Sequence, residues 1–144
     1  MRKFVPLILL VAMICGPMTA LRAQSVVSVA DALAIRNVIE RQLDAFGRDD
    51  GEGAFSYASP KIRSIFSTAD NFMQMVRTGY QPVYRPQSVT FLDIVEIRGQ
   101  PTQRVLLVGP DGRSVIAHYF MARQPDGSWL IDGCVLSEPD NAAV

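Results

Sequence analysis

The chain has 144 residues, 49% of them hydrophobic and 19% charged, with 14 basic against 14 acidic side chains, one histidine and two cysteines. The balanced charge excludes the basic footprint that nucleic-acid binding needs. The length is that of one ordinary domain, large enough to bury its own core without a metal or a disulfide.

The first residues, MRKFVPLILLVAMICGPMTALRA, set two basic residues before an apolar run from Phe4 to Cys15, a Gly16-Pro17 break and small residues up to Ala23. That order is the pattern of a cleaved secretory signal. The run is about a dozen residues, short of the roughly 20 that span a bilayer. The expectation is an exported protein, periplasmic or secreted, cut after Ala23 and without a membrane span once the signal is removed. Taking Arg2, Lys3 and Arg22 from the 14 basic residues leaves 11 against 14 acidic ones, again with no attraction for nucleic acid. Cys15 leaves with the signal, so Cys134 stands alone and no internal disulfide forms. Such a thiol is buried and inert, reactive, or a link to another chain. The expected organisation is a signal peptide over 1–23, one α+β domain over 24–137 and a flexible tail over 138–144.

Ser28-Val29-Ala30-Asp31 has the capping-box form, and periodic apolar residues follow it, predicting a helix from Val29 to Phe46. Ile35, Val38, Ile39, Leu43 and Phe46 share one arc of that helix. Gln42 sits in the middle of the arc, where its amide must find backbone partners or touch a ligand. Gly47 to Gly53, GRDDGEG, reads as a solvated loop; its acids lack the spacing of a calcium loop, so no metal is expected. A short helical piece over Ala54–Ala58 leads to Ser59-Pro60, a cap with proline at the first helical position. Ile62, Ile65 and Phe66 continue that helix. Ser67-Thr68-Ala69-Asp70 caps a further helix that buries Phe72, Met73, Met75 and Val76 and ends at Gly79. In MVRTGYQPVYRP, Met75 to Pro86, Gly79 is expected in a left-handed helix ending, with Tyr80 over Met75. Pro82 and Pro86 are expected to keep the chain extended along a sheet edge, with Tyr84 and Arg85 on opposite sides.

Four β-rich runs follow, Ser88–Arg98, Gln103–Gly109, Arg113–Gln124 and Ser128–Leu136. Pro110-Asp111-Gly112 and Pro125-Asp126-Gly127 separate the last three as tight turns. Treated as three-residue loops, these turns place Arg104 opposite His118 and His118 opposite Cys134, with Asp132 diagonal to the histidine. As chemistry, Arg104, His118, Asp132 and Cys134 would be a thiol beside an oriented imidazole. As structure, the same face carries Leu106, Ile116, Phe120 and Leu136 and would be a packed surface, and a slip of one residue would disperse the cluster. The opposite face, with Val105, Leu107, Val115, Ala117, Tyr119, Met121, Trp129, Ile131 and Val135, is the better core. Arg123 is expected beside Trp129. The fold class is α+β, three N-terminal helices on a curved antiparallel sheet with a C-terminal β-meander.

The segments QLDAF (Gln42–Phe46), ASP (Ala58–Pro60), MVRTGYQPVYRP, GPDG (Gly109–Gly112) and DGSWLIDGCVL (Asp126–Leu136) resemble the bacterial family known as domain of unknown function 4864, over nearly all of the chain after the signal. More distantly, the long first helix, the DD loop, the short helices and the Asp-Gly-x-Trp-x-Ile strand resemble the nuclear transport factor 2-like (SnoaL-like) superfamily. That resemblance implies a cone-like, cystatin-like roll with a pocket at its open end, in a superfamily of isomerases, cyclases, hydrolases and noncatalytic modules. No catalytic position transfers from it, and fold alone does not carry function. Asp93, lone among apolar residues of its strand, is the acid to examine.

Two functions follow. The leading expectation is a noncatalytic binding or dimerisation module that takes a small apolar or amphipathic ligand, uses no cofactor and forms a homodimer. The rival is a cofactor-free proton-transfer, isomerase or hydratase enzyme drawing on Tyr80, Tyr84, Tyr119, Asp93, His118 and Asp132. Gln42, Tyr80, Tyr84, Arg85 and Asp93 are the candidate pocket or rim residues.

Overall fold

The computed structural model describes residues 26–139; the expected signal peptide, Cys15 and the last five residues of the expected tail lie outside them. Helices α1 (Val29–Gly47), α2 (Gly51–Ser56), α3 (Pro60–Phe66), α4 (Ala69–Gly79) and the single turn α5 (Gln81–Tyr84) precede strands β1 (Ser88–Ile97), β2 (Gln100–Val108), β3 (Ser114–Arg123) and β4 (Trp129–Ser137). The strands form one antiparallel sheet in the order β1-β2-β3-β4. The α+β class and the meander are as the sequence implies, whereas five helices stand among the described residues in place of three.

The caps start the helices where their chemistry demands. Ser28, Ser59 and Thr68 accept the N–H groups of Asp31, Ile62 and Asn71, each satisfying a donor that has no partner inside its helix. Asp31 does more than complete a capping box. Its Oδ1 accepts Trp129 Nε1 at 3.0 Å and Arg123 Nη2 at 2.9 Å, so the start of α1 is tied to the β3–β4 hairpin. The Arg123 guanidinium lies 5.3 Å from the Trp129 ring centroid, the stacked pair expected from the sequence.

The stretch from Met75 to Pro86 departs from expectation. Gly79 is the last residue of α4, with Tyr80 as its C-cap, and it is absent from the positive-φ glycines Gly99, Gly112 and Gly127. Tyr80 N donates to Val76 O at 3.0 Å, and its own carbonyl accepts from Val83 N and Tyr84 N, both at 2.9 Å. Tyr80 therefore closes one helix and opens the next. Pro82 falls in the first turn of α5, where a missing N–H costs nothing; proline suits that position as well as an extended edge.

In the sheet, the Pro-Asp-Gly turns close as three-residue loops. Gly109 N donates to Arg113 O and Gln124 N to Ser128 O, both at 2.8 Å, with Gly112 and Gly127 at φ 80° and 86°. Arg98 and Gly99, both at positive φ, make the two-residue turn between β1 and β2 that matches strand twist. Arg104 duly faces His118. The β3–β4 register then slips: Phe120 faces Gly133 but Met121 faces Ile131, leaving Asp132 as the extra residue of a β-bulge. Long-range contacts hold that bulge. Asp132 accepts Ser59 Oγ at 2.7 Å, Gln100 Nε2 at 3.0 Å and Lys61 Nζ at 3.3 Å. On its far side Ile131 bonds to Tyr57 O and Ser59 N, forming a parallel bridge with Ala58.

All five helices precede the sheet, and the core lies between them and its inner face. Ile35, Ile39 and Phe46 of α1, Phe72, Met73 and Val76 of α4, and Val83 of α5 pack with Val105, Leu107, Ala117, Tyr119, Met121, Trp129 and Ile131. The bulge inverts the end of β4: Val135, expected in this core, is 53% exposed opposite His118, while Cys134 moves to the inner face opposite Tyr119.

Candidate functional site

Between the helices and the inner face lies a cavity of about 350 Å³, within the range of roughly 300 to 1,000 Å³ typical of small-molecule sites. Phe46 of α1, Ile62, Ile65 and Phe66 of α3, Phe72, Met75 and Val76 of α4 and Val83 of α5 form the helical wall. Tyr119 of β3 and Ile131, Gly133 and Cys134 of β4 form the sheet wall, with Ala58, Gln42 and Tyr80 completing it. Ile65, one of these residues, is 63% exposed.

The lining residues include no carboxylate, imidazole, ammonium or guanidinium. Their polar side chains are Gln42, Tyr80, Tyr119 and Cys134, and two of these are already engaged. Gln42 Nε2 donates to Ala54 O at 3.1 Å, so its amide meets backbone and lines the cavity at once. Tyr80 Oη donates to Cys134 O at 2.9 Å. Tyr119 differs: its side chain is fully buried, and its hydroxyl has no hydrogen-bond partner. Burial pushes the Cys134 thiol up to about 12. Burial, with the adjacent Cys134 as a lesser cause, also raises both phenols, that of Tyr119 well above the usual range. At physiological pH the thiol and both hydroxyls keep their protons. The site is thus neutral throughout and lacks an ionised nucleophile or base.

The sequence profile that matches this chain covers residues 28–144. The chain belongs to the family described as Domain of unknown function (DUF4864). The match takes in every element from α1 to β4 and every residue of the cavity. No curated protein and no solved structure matches the chain.

Elsewhere in this DUF4864 domain the other candidate residues serve different ends. Tyr84 and Arg85 do not point apart; both converge on Asp49 of the α1–α2 loop. Tyr84 Oη donates to Asp49 Oδ1, and Arg85 bonds Asp49 Oδ2 at 2.9 Å and Phe46 O at 2.6 Å. The Arg85 guanidinium also lies 3.9 Å from the Tyr84 ring centroid. Arg77 Nε adds a 3.4 Å bond to Tyr84 Oη. These contacts hold Asp49, a left-handed residue at φ 55°, and the hydrogen bond from Tyr84, followed by the Arg85 charge, keeps its carboxyl below the usual range. The group is a latch between α5 and the end of α1, and none of its members lines the cavity.

Asp93 lies at a bulge in β1, where the register shifts between Phe91 and Ile94. Its carboxylate is exposed and pairs with Arg104 at 2.9 Å, outside the cavity. The buried Gln103 amide satisfies the bulge backbone, donating to Leu92 O and Arg104 O. The polar row of Arg104, His118, Asp132 and Cys134 is dispersed by the β4 bulge, a correction to the pairing expected from the turns. His118 faces Val135 and meets Ser137 Oγ at 2.9 Å. Cys134 is on the opposite face, and Asp132 serves Ser59, Lys61 and Gln100. Burial raises the Asp132 carboxyl, but hydrogen bonds from those three outweigh it and hold the group below its usual range.

Sequence reasoning placed Tyr119 in the core and among the groups open to the rival enzyme, but not among the candidate pocket or rim residues. The available signal was a phenol at an inward position among apolar neighbours, where a hydroxyl requires a partner.

Proposed function

We propose that this domain is a noncatalytic binding module whose ligand is a small apolar molecule held between the helices and the sheet. The carrying observation is the cavity itself: about 350 Å³ bounded almost entirely by aliphatic and aromatic side chains. Apolar surface shielded from water in such a space stabilises a bound ligand by about 25 cal/mol per Å² buried, and no charged group is at hand for bond-making. Of the groups an enzyme would draw on, Asp93, His118, Asp132 and Tyr84 lie outside the lining, which leaves two phenols that burial keeps protonated.

The same reading includes export, supported by the order of charge, apolar run and small residues over 1–23. It also includes the cone-like roll of the nuclear transport factor 2-like superfamily, supported by helices on one face of an antiparallel sheet. A homodimer through the helix-free face belongs to the proposal too; half-exposed Val135 stands there beside partly buried Leu106 and Phe120. Sedimentation velocity giving a monomer at high concentration removes that part. The binding reading is tested by native mass spectrometry of protein purified gently from its own host. A retained small molecule released on unfolding is the expected result, and a bare polypeptide that also fails to bind 1-aminonaphthalene, an uncharged polarity-sensitive fluorophore, contradicts it.

A further inference from the structure

The cavity wall carries a polar atom that the fold leaves open. Gln42 lies on the buried face of α1, between Ile39 and Phe46, and is 3% exposed. Its Nε2 donates to Ala54 O at 3.1 Å, and because a carbonyl only accepts, that bond fixes which end of the amide is nitrogen. Oε1 is left over, and it accepts no hydrogen bond from any described residue. Nor is it sealed away, since the closed-off side-chain atoms without a partner among the described residues are His118 Nδ1 and Tyr119 Oη. The little accessible surface that Gln42 keeps therefore includes Oε1, and on a residue of the cavity wall that surface opens inward.

An amide oxygen has room for two donors, and one buried with neither is costly. Tyr80, the other engaged polar residue of the wall, gives its proton to Cys134 O, so an occupant carrying a hydroxyl would supply the missing bond. The rest of the wall requires that occupant to be neutral. An ionised group enclosed here would lose its hydration and meet no opposite charge among the lining residues. Counting about 30 Å³ for each water- or methylene-sized group, the space holds on the order of a dozen such groups.

Resting on the binding reading above, we propose that the cavity selects an uncharged, largely apolar alcohol or phenol whose hydroxyl donates to Gln42 Oε1. Gln42 is a specificity-determining residue in this account. The bond to Ala54 O holds its amide in place before the ligand arrives, so little side-chain freedom is lost on binding.

The test uses the purified protein and its Gln42→Met variant, which keeps the length of the side chain and removes the amide. Three compounds of one shape, tetralin, 1-tetralol and 1-tetralone, compete with bound 1-aminonaphthalene. In the wild-type protein 1-tetralol, a donor, is expected to outcompete 1-tetralone, which offers only an acceptor, by roughly three- to tenfold, the worth of a single neutral hydrogen bond. Comparing the alcohol-to-hydrocarbon affinity ratio between the two proteins cancels the intrinsic hydrophobicity of each compound. That ratio is expected to fall by a similar factor in Gln42→Met, with tetralin binding unchanged or slightly tighter. A ketone that competes as well as the alcohol in the wild-type protein, or a ratio unchanged in the variant, overturns the inference while leaving the cavity a binding site. Should Gln42→Met fail to fold, the wild-type ranking decides alone. If neither the fluorophore nor any of the three compounds binds the wild-type protein, the binding reading fails and takes the inference with it.

Discussion

Replacing Tyr119 with phenylalanine in ligand-free protein is expected to stabilise the fold, although it deletes an atom from the core. The ring packs in the same place, fully buried opposite Cys134, so little dispersion energy is lost. What disappears is a hydroxyl that gave up its water on folding and gained no partner; such burial costs about 1 to 3 kcal/mol in mutational data. Allowing for the smaller side chain, a net gain of about 1 kcal/mol follows, equivalent to about 3 to 6 °C in Tm for a domain of this size. Urea unfolding followed by the fluorescence of Trp129, the single tryptophan, measures it, with the midpoint rising and the slope unchanged. A variant that loses 1 kcal/mol or more would show that the hydroxyl is hydrogen-bonded in the folded protein, and the argument for an unmet donor would collapse.

Three other outcomes are expected. Tyr84→Phe and Arg85→Ala each break the Asp49 latch and lower stability by about 1 kcal/mol, yet leave 1-aminonaphthalene affinity unchanged because neither residue lines the cavity; a loss of affinity would reassign α5 to the site. Iodoacetamide at pH 7 leaves Cys134 unmodified in folded protein and alkylates it in urea, since burial pushes the thiol up to about 12; rapid modification of the folded form would reopen a reactive role. The carboxyls of Asp31, Asp49, Asp126 and Asp132 are all held below their usual range. Their contribution is therefore complete above the unfolded value near ~3.9 and is lost as pH falls through the lower folded values. The urea midpoint should be level from pH 7 to about 5 and drop below about 4, less steeply in Asp132→Asn; a midpoint that rises on acidification contradicts this.

Local chemistry made much of the fold legible. Ser28 and Ser59 announce helix starts because capping is settled within three residues, while the cap of α4 falls on Thr68, one place after the Ser67 of the expected box, and the Pro-Asp-Gly turns set the pairing of Gly109 with Arg113 and Gln124 with Ser128 because loop length sets register. That certainty ends at Asp132. Its bulge depends on Ser59 and Lys61, more than seventy positions away, and on Ala58 bridging to Ile131, none of which periodicity within β4 can report. One extra residue then exchanged the faces of Cys134 and Val135 and dissolved the polar row of Arg104, His118, Asp132 and Cys134. The short helix α5 was obscured for a different reason, since Pro82 satisfies an extended edge and a first helical turn equally. The cavity left less trace still. Gln42 and Tyr80 stood among the candidate pocket or rim residues, but the other lining residues read as ordinary core, and empty space arises only from how α3, α4 and β4 are set apart.

Methionine-methyl NMR tests the central claim most directly, because the described residues carry three reporters: Met75 lines the cavity, whereas Met73 and Met121 are buried in the core away from it. Titration with 1-tetralone is predicted to move the Met75 methyl signal saturably while those of Met73 and Met121 stay in place. No saturable shift at Met75, or equal shifts at all three, would contradict a ligand held in this cavity.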